Sequence, residues 1–298
     1  MIEYIDIDVN LALYYLVDFL IALALLTGMR FIAGVVSNVS ATHEISQKDN
    51  KAFGISLAGA MIAVSIMLMG VVSGESAYNL GAEAFQMVVF GVLGIVLMWF
   101  TRIVFDHVSF PKLSIHTEIM QGNISASIID ACNMIATAII IKGAMVWVDG
   151  DITIAIIAVI ISFIASQAIM AMATFYRVSV YKRRHNGKSL HHAIEENNVA
   201  LAVRFSAYRI GIAIAVSAAF KAVEYDAESF TSVLTVWFSI ALMLFLLLTI
   251  IAVIIRLGVL HKVNISDEVG EQANIAVGAI EGSIYIVVGL LLAGLIGA

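Results

Sequence analysis

The chain of 298 residues is short of charge, of cysteine and of proline. Charged residues make up 13% and apolar ones 61%, where a soluble domain carries about a quarter charged and roughly half apolar. So few charges cannot cover a water-facing surface, and this excludes an ordinary soluble domain. The mean hydropathy of +1.01 points the same way. A second, apolar solvent is needed, and a lipid bilayer supplies it. There is one proline and one cysteine. Cys132 falls inside an apolar run with no partner, so there is no disulfide framework. The net charge of -6 is small and no basic stripe is present, so no nucleic-acid partner is expected. The N-terminus is acidic (Glu3, Asp6, Asp8), unlike a cleavable signal peptide, so the first apolar run is expected to remain in the mature protein.

Catalytic signatures are missing too. There is no His-Glu-x-x-His, no Gly-x-Ser-x-Gly and no phosphate-binding loop, so an enzyme is not expected. His43-Glu44 and His191-His192 match no strong metal spacing, and neither a metal nor a cofactor is expected.

What the chain does have is eight apolar runs, near 11–32, 52–72, 85–105, 124–146, 152–175, 199–220, 233–255 and 275–296. Each has the length of a spanning helix, and none shows the shorter alternating pattern of a membrane β-barrel. The expected fold is all-α: a polytopic integral membrane protein with about eight transmembrane helices. Odd-numbered runs each end in arginine: Arg30, Arg102, Arg177 and Arg256. The following loops add Lys48, Lys51, Lys112, Lys182, Arg183, Arg184, Lys188 and Lys262, placing 12 of the 16 basic residues on one side. The other loops carry Glu75, Glu83, Asp149, Asp151, Glu224, Asp226 and Glu228. The positive-inside rule makes the basic side cytoplasmic and leaves both termini outside. Lys182-Arg183-Arg184-His185 is expected to touch anionic lipid head groups.

The hairpins repeat. The segment before each even-numbered run ends in asparagine, at Asn50, Asn123, Asn198 and Asn274. Small residues follow two positions later (Ala52, Ser125, Ala200, Ala276) and four positions later (Gly54, Ser127, Ala202, Gly278). Glu44 and Glu268 lie six residues upstream in the first and last copies. All four hairpins enter from one side, so the repeats are parallel. They fall into two four-helix halves, 1–148 and 149–298.

The stretch Thr42-His43-Glu44-Ile45 followed by Asn50-Lys51-Ala52-Phe53-Gly54-Ile55-Ser56-Leu57-Ala58-Gly59 resembles the signature of the YjfL-like bacterial inner-membrane proteins. The second half repeats it as Asp267-Glu268-Val269 and Asn274-Ile275-Ala276-Val277-Gly278. The resemblance implies a four-helix domain of unknown function in two tandem copies, in a bacterial inner membrane. It implies no activity.

Within each copy, positions 4, 7 and 11 after the asparagine share its helix stripe. The fourth run reads Asn123, Ser127, Asp130, Met134, with Asn133 and Thr137 beside them. The eighth reads Asn274, Gly278, Glu281, Tyr285, and the sixth reads Asn198, Ala202, Phe205, Arg209. Asp130 and Glu281 therefore occupy equivalent places roughly 10 Å into the membrane, with Arg209 roughly 16 Å in. A charge at such depth costs at least about 2.5–3.5 kcal/mol unless paired or hydrated, so all three should face the interior. Two readings stand side by side. Either Arg209 pairs with Asp130 or Glu281 and locks the bundle, or the carboxylates bind protons, cations or a cationic substrate along a polar path. Asp18, deep in the first run, is a fourth candidate. Arg204, on another face of the sixth run, is expected to snorkel to the interface, as are Lys142 and Lys221. The asparagines serve as helix caps or as a ring around a vestibule.

These residues together point to an inner-membrane transporter or ion-conducting protein, proton- or cation-coupled through Asp130 and Glu281. The alternative is a scaffold that recruits protein or lipid partners. Assembly into a homo-oligomer is compatible with either.

Overall fold

The computed structural model describes residues 9–36, 40–73, 79–110 and 113–297. Glu3, Asp6, Asp8, Glu75 and Lys112 lie outside these residues, as does the side chain of Arg30. In chain order the helices are α1 (Val9–Val36), α2 (Ala41–Ser46), α3 (Lys51–Val72), α4 (Leu80–Val104), α5 (Ile115–Met120), α6 (Ile124–Trp147), α7 (Ile152–Arg184), α8 (Leu190–Glu195), α9 (Val199–Lys221), α10 (Phe230–Val259), α11 (Ile265–Gly270) and α12 (Ile275–Gly297). Helix α4 runs on into a π-helical turn, Phe105–Ser109. Among the described residues there is no strand, and eight helices are long and apolar enough to cross a membrane.

The odd-numbered spanning helices outrun their apolar stretches. Helix α7 has 33 residues and α10 has 30. Lysine and arginine are good helix formers, so the backbone carries on past the point where hydropathy falls. This matters for the interior, because arginines at the end of an apolar run then sit inside a helix.

Four short helices, α2, α5, α8 and α11, precede the four even-numbered spans, and each has six residues. All follow one plan. A Ser or Asn side chain caps the short helix (Ser40, Ser114, Ser189, Asn264). A residue with positive φ then turns the chain (Asp49, Gly122, Asn197, Ala273). The repeated asparagine comes next. Its Oδ1 accepts the backbone N–H three residues on, at Phe53, Ala126, Leu201 and Val277. That meets one of the orphan donors at a helix start.

The asparagine amides do more than cap. Asn50 Nδ2 donates to the carbonyls of Ile119 and Met120 at the end of α5. Asn123 Nδ2 donates to Ile194 and Glu195 at the end of α8. Asn198 Nδ2 donates to Val269 and Gly270 at the end of α11. Each repeat is thus tied to the next through the unpaired carbonyls of a short helix.

The spans form two layers. Helices α3, α6, α9 and α12 pack side by side in a row. Small residues bring their backbones together. A Cβ added at Gly59 would fall on Ala131, one at Gly211 on the Tyr285 carbonyl, and one at Gly278 on the Ala200 carbonyl. Helices α4, α7 and α10 lie in the grooves of this row, over α3/α6, α6/α9 and α9/α12, and α1 lies on α3 and α4. The polar side chains of the interior are held between the two layers.

Candidate functional site: a charged seam between the layers

Two clusters of the same design occupy the seam, one per half. In the first, Asp130 of α6 is 1% exposed. Arg102 of α4 donates to it from Nε at 2.9 Å and from Nη2 at 2.5 Å. Ser56 of α3 donates to the same carboxylate at 2.5 Å and accepts from Arg102 Nη2 at 3.0 Å. In the second, Glu281 of α12 is fully buried. Arg204 of α9 donates to it from Nη2 at 3.0 Å, and its Nε lies 2.5 Å from Oε2 as an ion pair without hydrogen-bond alignment. Arg256 of α10 donates at 3.3 Å. The correspondence is positional. Asp130 and Glu281 stand seven residues after their asparagines, and Ser56 and Arg204 stand six after theirs. Where the first half has a serine the second has a guanidinium. The three side chains of the first cluster are therefore neutral together, with the Asp106 carboxylate near them, and the second cluster carries an excess positive charge.

Arg177 of α7 adds to that excess. Its guanidinium stacks over the rings of Tyr208 (4.4 Å) and Tyr285 (4.7 Å), and its buried Nη2 has no acceptor among the described residues. Cation–π contact compensates part of the desolvation but none of the hydrogen bonding. Arg177 and Arg204 also line a small cavity with Tyr181, Arg184, His185 and Ser266, about 20 Å³ in volume, room for little more than one water. His185 is fixed there between the Tyr181 carbonyl and Ser266.

Arg209 does not pair with Asp130 or Glu281, contrary to the expectation above. Its donors go to Thr174 Oγ1 at 2.6 Å, to the Met170 carbonyl at 3.4 Å and to Asn133 Oδ1 at 2.6 Å, and it lies over the Phe105 ring. The reason is rotational. Positions seven and eleven after the asparagine point at the layer of odd helices, and on parallel neighbours they point the same way without meeting. Position six lies 100° round the helix and points along the row. That is why Arg204, expected at the interface, is 7% exposed and reaches Glu281 instead. Arg102 and Arg256, read as end markers of apolar runs, turn inward for the reason given by the helix lengths. The one sequence sign of this was the matching place of Ser56 and Arg204 in the repeat.

The remaining candidates are spread along the seam. Asn133 and Thr137 are buried, and Asn133 Nδ2 and Thr137 Oγ1 lack partners among the described residues. Ser127 Oγ bonds back to the Ile124 carbonyl. Tyr285 meets Tyr208 edge to face at 5.0 Å. Asp18 is 6% exposed and makes no ion pair among the described residues, so it stays apart from both clusters. Glu44 accepts from Lys48 at 2.7 Å and from Asn50, and Glu268 accepts from Asn274 at 2.8 Å. The Lys48 hydrogen bond holds the Glu44 carboxyl below its ordinary range.

Eight apolar helices, a four-fold hairpin repeat and paired charges buried between layers define a polytopic helical membrane protein. The chain belongs to the family described as Domain of Unknown Function (DUF350), which it matches over residues 7–145 and 151–296. It is 31% identical over 103 residues to a UPF0719 transmembrane protein of Aquifex aeolicus (strain VF5). That stretch covers 35% of this chain and 38% of the relative, well under half of either. No solved structure matches the chain.

Proposed function

We propose that the protein is a transporter or ion-conducting protein of a bacterial inner membrane and that its solute is a small anion. The basic side faces the cytoplasm and both termini face outward, in keeping with the loop charges. The observation that carries the reading is a run of buried donors with no acceptor among the described residues. It comprises Arg177 Nη2, Arg209 Nε, Asn133 Nδ2, Thr137 Oγ1, Ser162 Oγ and Gln167 Nε2, along the contact of α6, α7 and α9. From Arg177 to Ser162 the run follows α7 for roughly 22 Å at about 1.5 Å per residue, against a hydrocarbon core of about 30 Å. A buried donor left unpaired costs about 1–3 kcal/mol, and more when charged. A line of them is costly in a purely structural interior and suited to passing an anion. Asp130 and Glu281, by contrast, are each held by guanidinium groups, and a cation would have to displace an arginine to reach either. The proton or cation path expected from Asp130 and Glu281 gives way to an anion path beside them.

The test is chloride efflux from proteoliposomes, followed with an electrode. Arg177→Gln and Arg209→Gln should each slow efflux at least about tenfold, and Arg183→Gln, at the exposed end of α7, should not. Loss of the reading would follow if chloride, nitrate and phosphate were all retained as in protein-free vesicles. The scaffold reading draws support from the ion pairing of Asp130 and Glu281, and silent vesicles containing folded protein would favour it.

A further inference from the structure

The row of even-numbered helices is built from one repeated contact, and that contact is left open at both ends. Each helix presents one edge to the helix before it and another to the helix after it. Counting from the capping asparagine, the leading helix offers positions 2, 9 and 13, and the following helix offers positions 4, 8 and 15. Gly278 (position 4) meets Ala200 (position 2), Gly282 (8) meets Ala207 (9), and Gly289 (15) meets Gly211 (13) between α12 and α9. Gly59 (9) meets Ala131 (8) between α3 and α6. Cys132 (9) meets Ser206 (8) between α6 and α9. On α12 the leading edge is Ala276, Ser283 and Val287, and all three are exposed. On α3 the following edge is Gly54, Ala58 and Ser65. Ala58 and Ser65 are exposed, and nothing stands within 4 Å of where a Cβ on Gly54 would lie.

A second and independent observation lies on the basic side. Three asparagines cap the carbonyls of the next repeat's short helix, as described above. Asn274 belongs to the last repeat described, and among the described residues its Nδ2 bonds only to its own Glu268. Helix α2 belongs to the first repeat described, and no described side chain donates to the carbonyls of Ile45 or Ser46, the counterparts of Val269 and Gly270. The apolar residue at this place is buried in the other three copies: Ile119 at 2%, Ile194 and Val269 at 0%. Ile45 is 39% exposed.

We propose that a second copy of this chain docks head to tail, its α3 packing on α12 of the first. Asn274 then caps the end of the neighbour's α2, and the contact used three times within the chain continues across the subunit boundary. Such an interface is heterologous: the two chains use different surfaces, so assembly proceeds to a ring or a chain of subunits in the membrane plane. The occupant is a second copy because Ala276 and Ser283 on one edge and Gly54 and Ala58 on the other repeat the small residues and positions of the internal contact, with Val287 larger than its counterpart Gly211. This inference is independent of what the seam carries.

Cysteine cross-linking in membranes tests it, in a Cys132→Ala background. Positions 9 and 8 of successive helices approach within the Cβ–Cβ reach of a disulfide, about 3.8 Å. A chain carrying Ser283→Cys mixed with a chain carrying Ala58→Cys should give an oxidised dimer, and both changes in one chain should give dimers and higher species. Neither single variant should cross-link alone. A dimer from Ser283→Cys alone would mean back-to-back pairing and overturn the proposal, as would a monomer under every combination. Ala58→Trp in the unmodified chain should abolish the oligomer seen by native mass measurement while leaving the monomer's unfolding temperature unchanged. An oligomer that survives Ala58→Trp would overturn it as well.

Discussion

Removing Glu281 should damage the fold more than removing Asp130, and the difference can be worked from the two clusters. Glu281→Gln leaves Arg204 and Arg256 facing Arg177 across the same region with no counter-charge. The side chains of Arg204 and Arg256 are only 8% and 12% exposed, so neither can reach water by a rotamer change. Breaking a buried pair by removing one partner costs about 3–5 kcal/mol. Asp130→Asn takes the paired carboxylate from one guanidinium, and Arg102, which also lies near Asp106, is 24% exposed and can turn outward. Its cost should fall below that range. At about 2 °C per kcal/mol the first variant should unfold on the order of 6–10 °C lower than the parent. The second should unfold at a temperature between the two. Tryptophan fluorescence during heating in detergent reads this order, with one scan rate throughout because membrane proteins often unfold irreversibly. Replacing Glu281 and Arg204 together by methionine should recover part of the loss, since an apolar pair removes a stranded charge as well as its partner. Equal shifts for Glu281→Gln and Asp130→Asn, or no recovery in the double variant, would refute the reasoning.

Other consequences are simpler to read. Asn198→Ala should lower monomer stability by about 1–2 kcal/mol through loss of the cap and of two carbonyl contacts, measured as the same unfolding temperature. Asn274→Ala, which caps without a neighbour inside the chain, should cost the isolated monomer less. Gly211→Ala should destabilise, because the new methyl meets the Tyr285 backbone, whereas Gly28→Ala meets nothing within 4 Å and should be tolerated. Glu271 outside the membrane accepts from Lys188 at 2.7 Å, and this holds its carboxyl below the ordinary value of 4.5. A depressed carboxyl contributes stability above its unfolded value, and that contribution fades as pH falls through the folded one. Lys188→Met should therefore flatten the acid limb of stability against pH, and an unchanged limb would show that the pair contributes nothing.

The eight spans and their repeat were legible because length and hydropathy are properties of consecutive residues. The short helices were not, although Ser40, Ser114, Ser189 and Asn264 recur nine or ten residues before each asparagine. Six residues are too few for an apolar period to show, and such helices persist only through caps and packing. In the seam, the depth of Asp130 and Glu281 could be counted along a helix, so their burial followed from cost alone. Their partners could not be counted. Which arginine meets which carboxylate depends on how neighbouring helices are rotated and layered, and Arg209 and Arg204 differ in this by roughly 140° of helix rotation at 100° per residue. The inward turn of Arg102 and Arg256 is hidden for a different reason. Hydropathy marks where apolar residues stop, and the helices of this chain continue beyond that point.

The most direct test of the central claim is ion selectivity. With the protein reconstituted in a bilayer under a potassium chloride gradient, the reversal potential should lie toward the chloride equilibrium value and return toward zero selectivity in Arg209→Gln. A reversal potential toward the potassium value would contradict the account and return the function to the carboxylates.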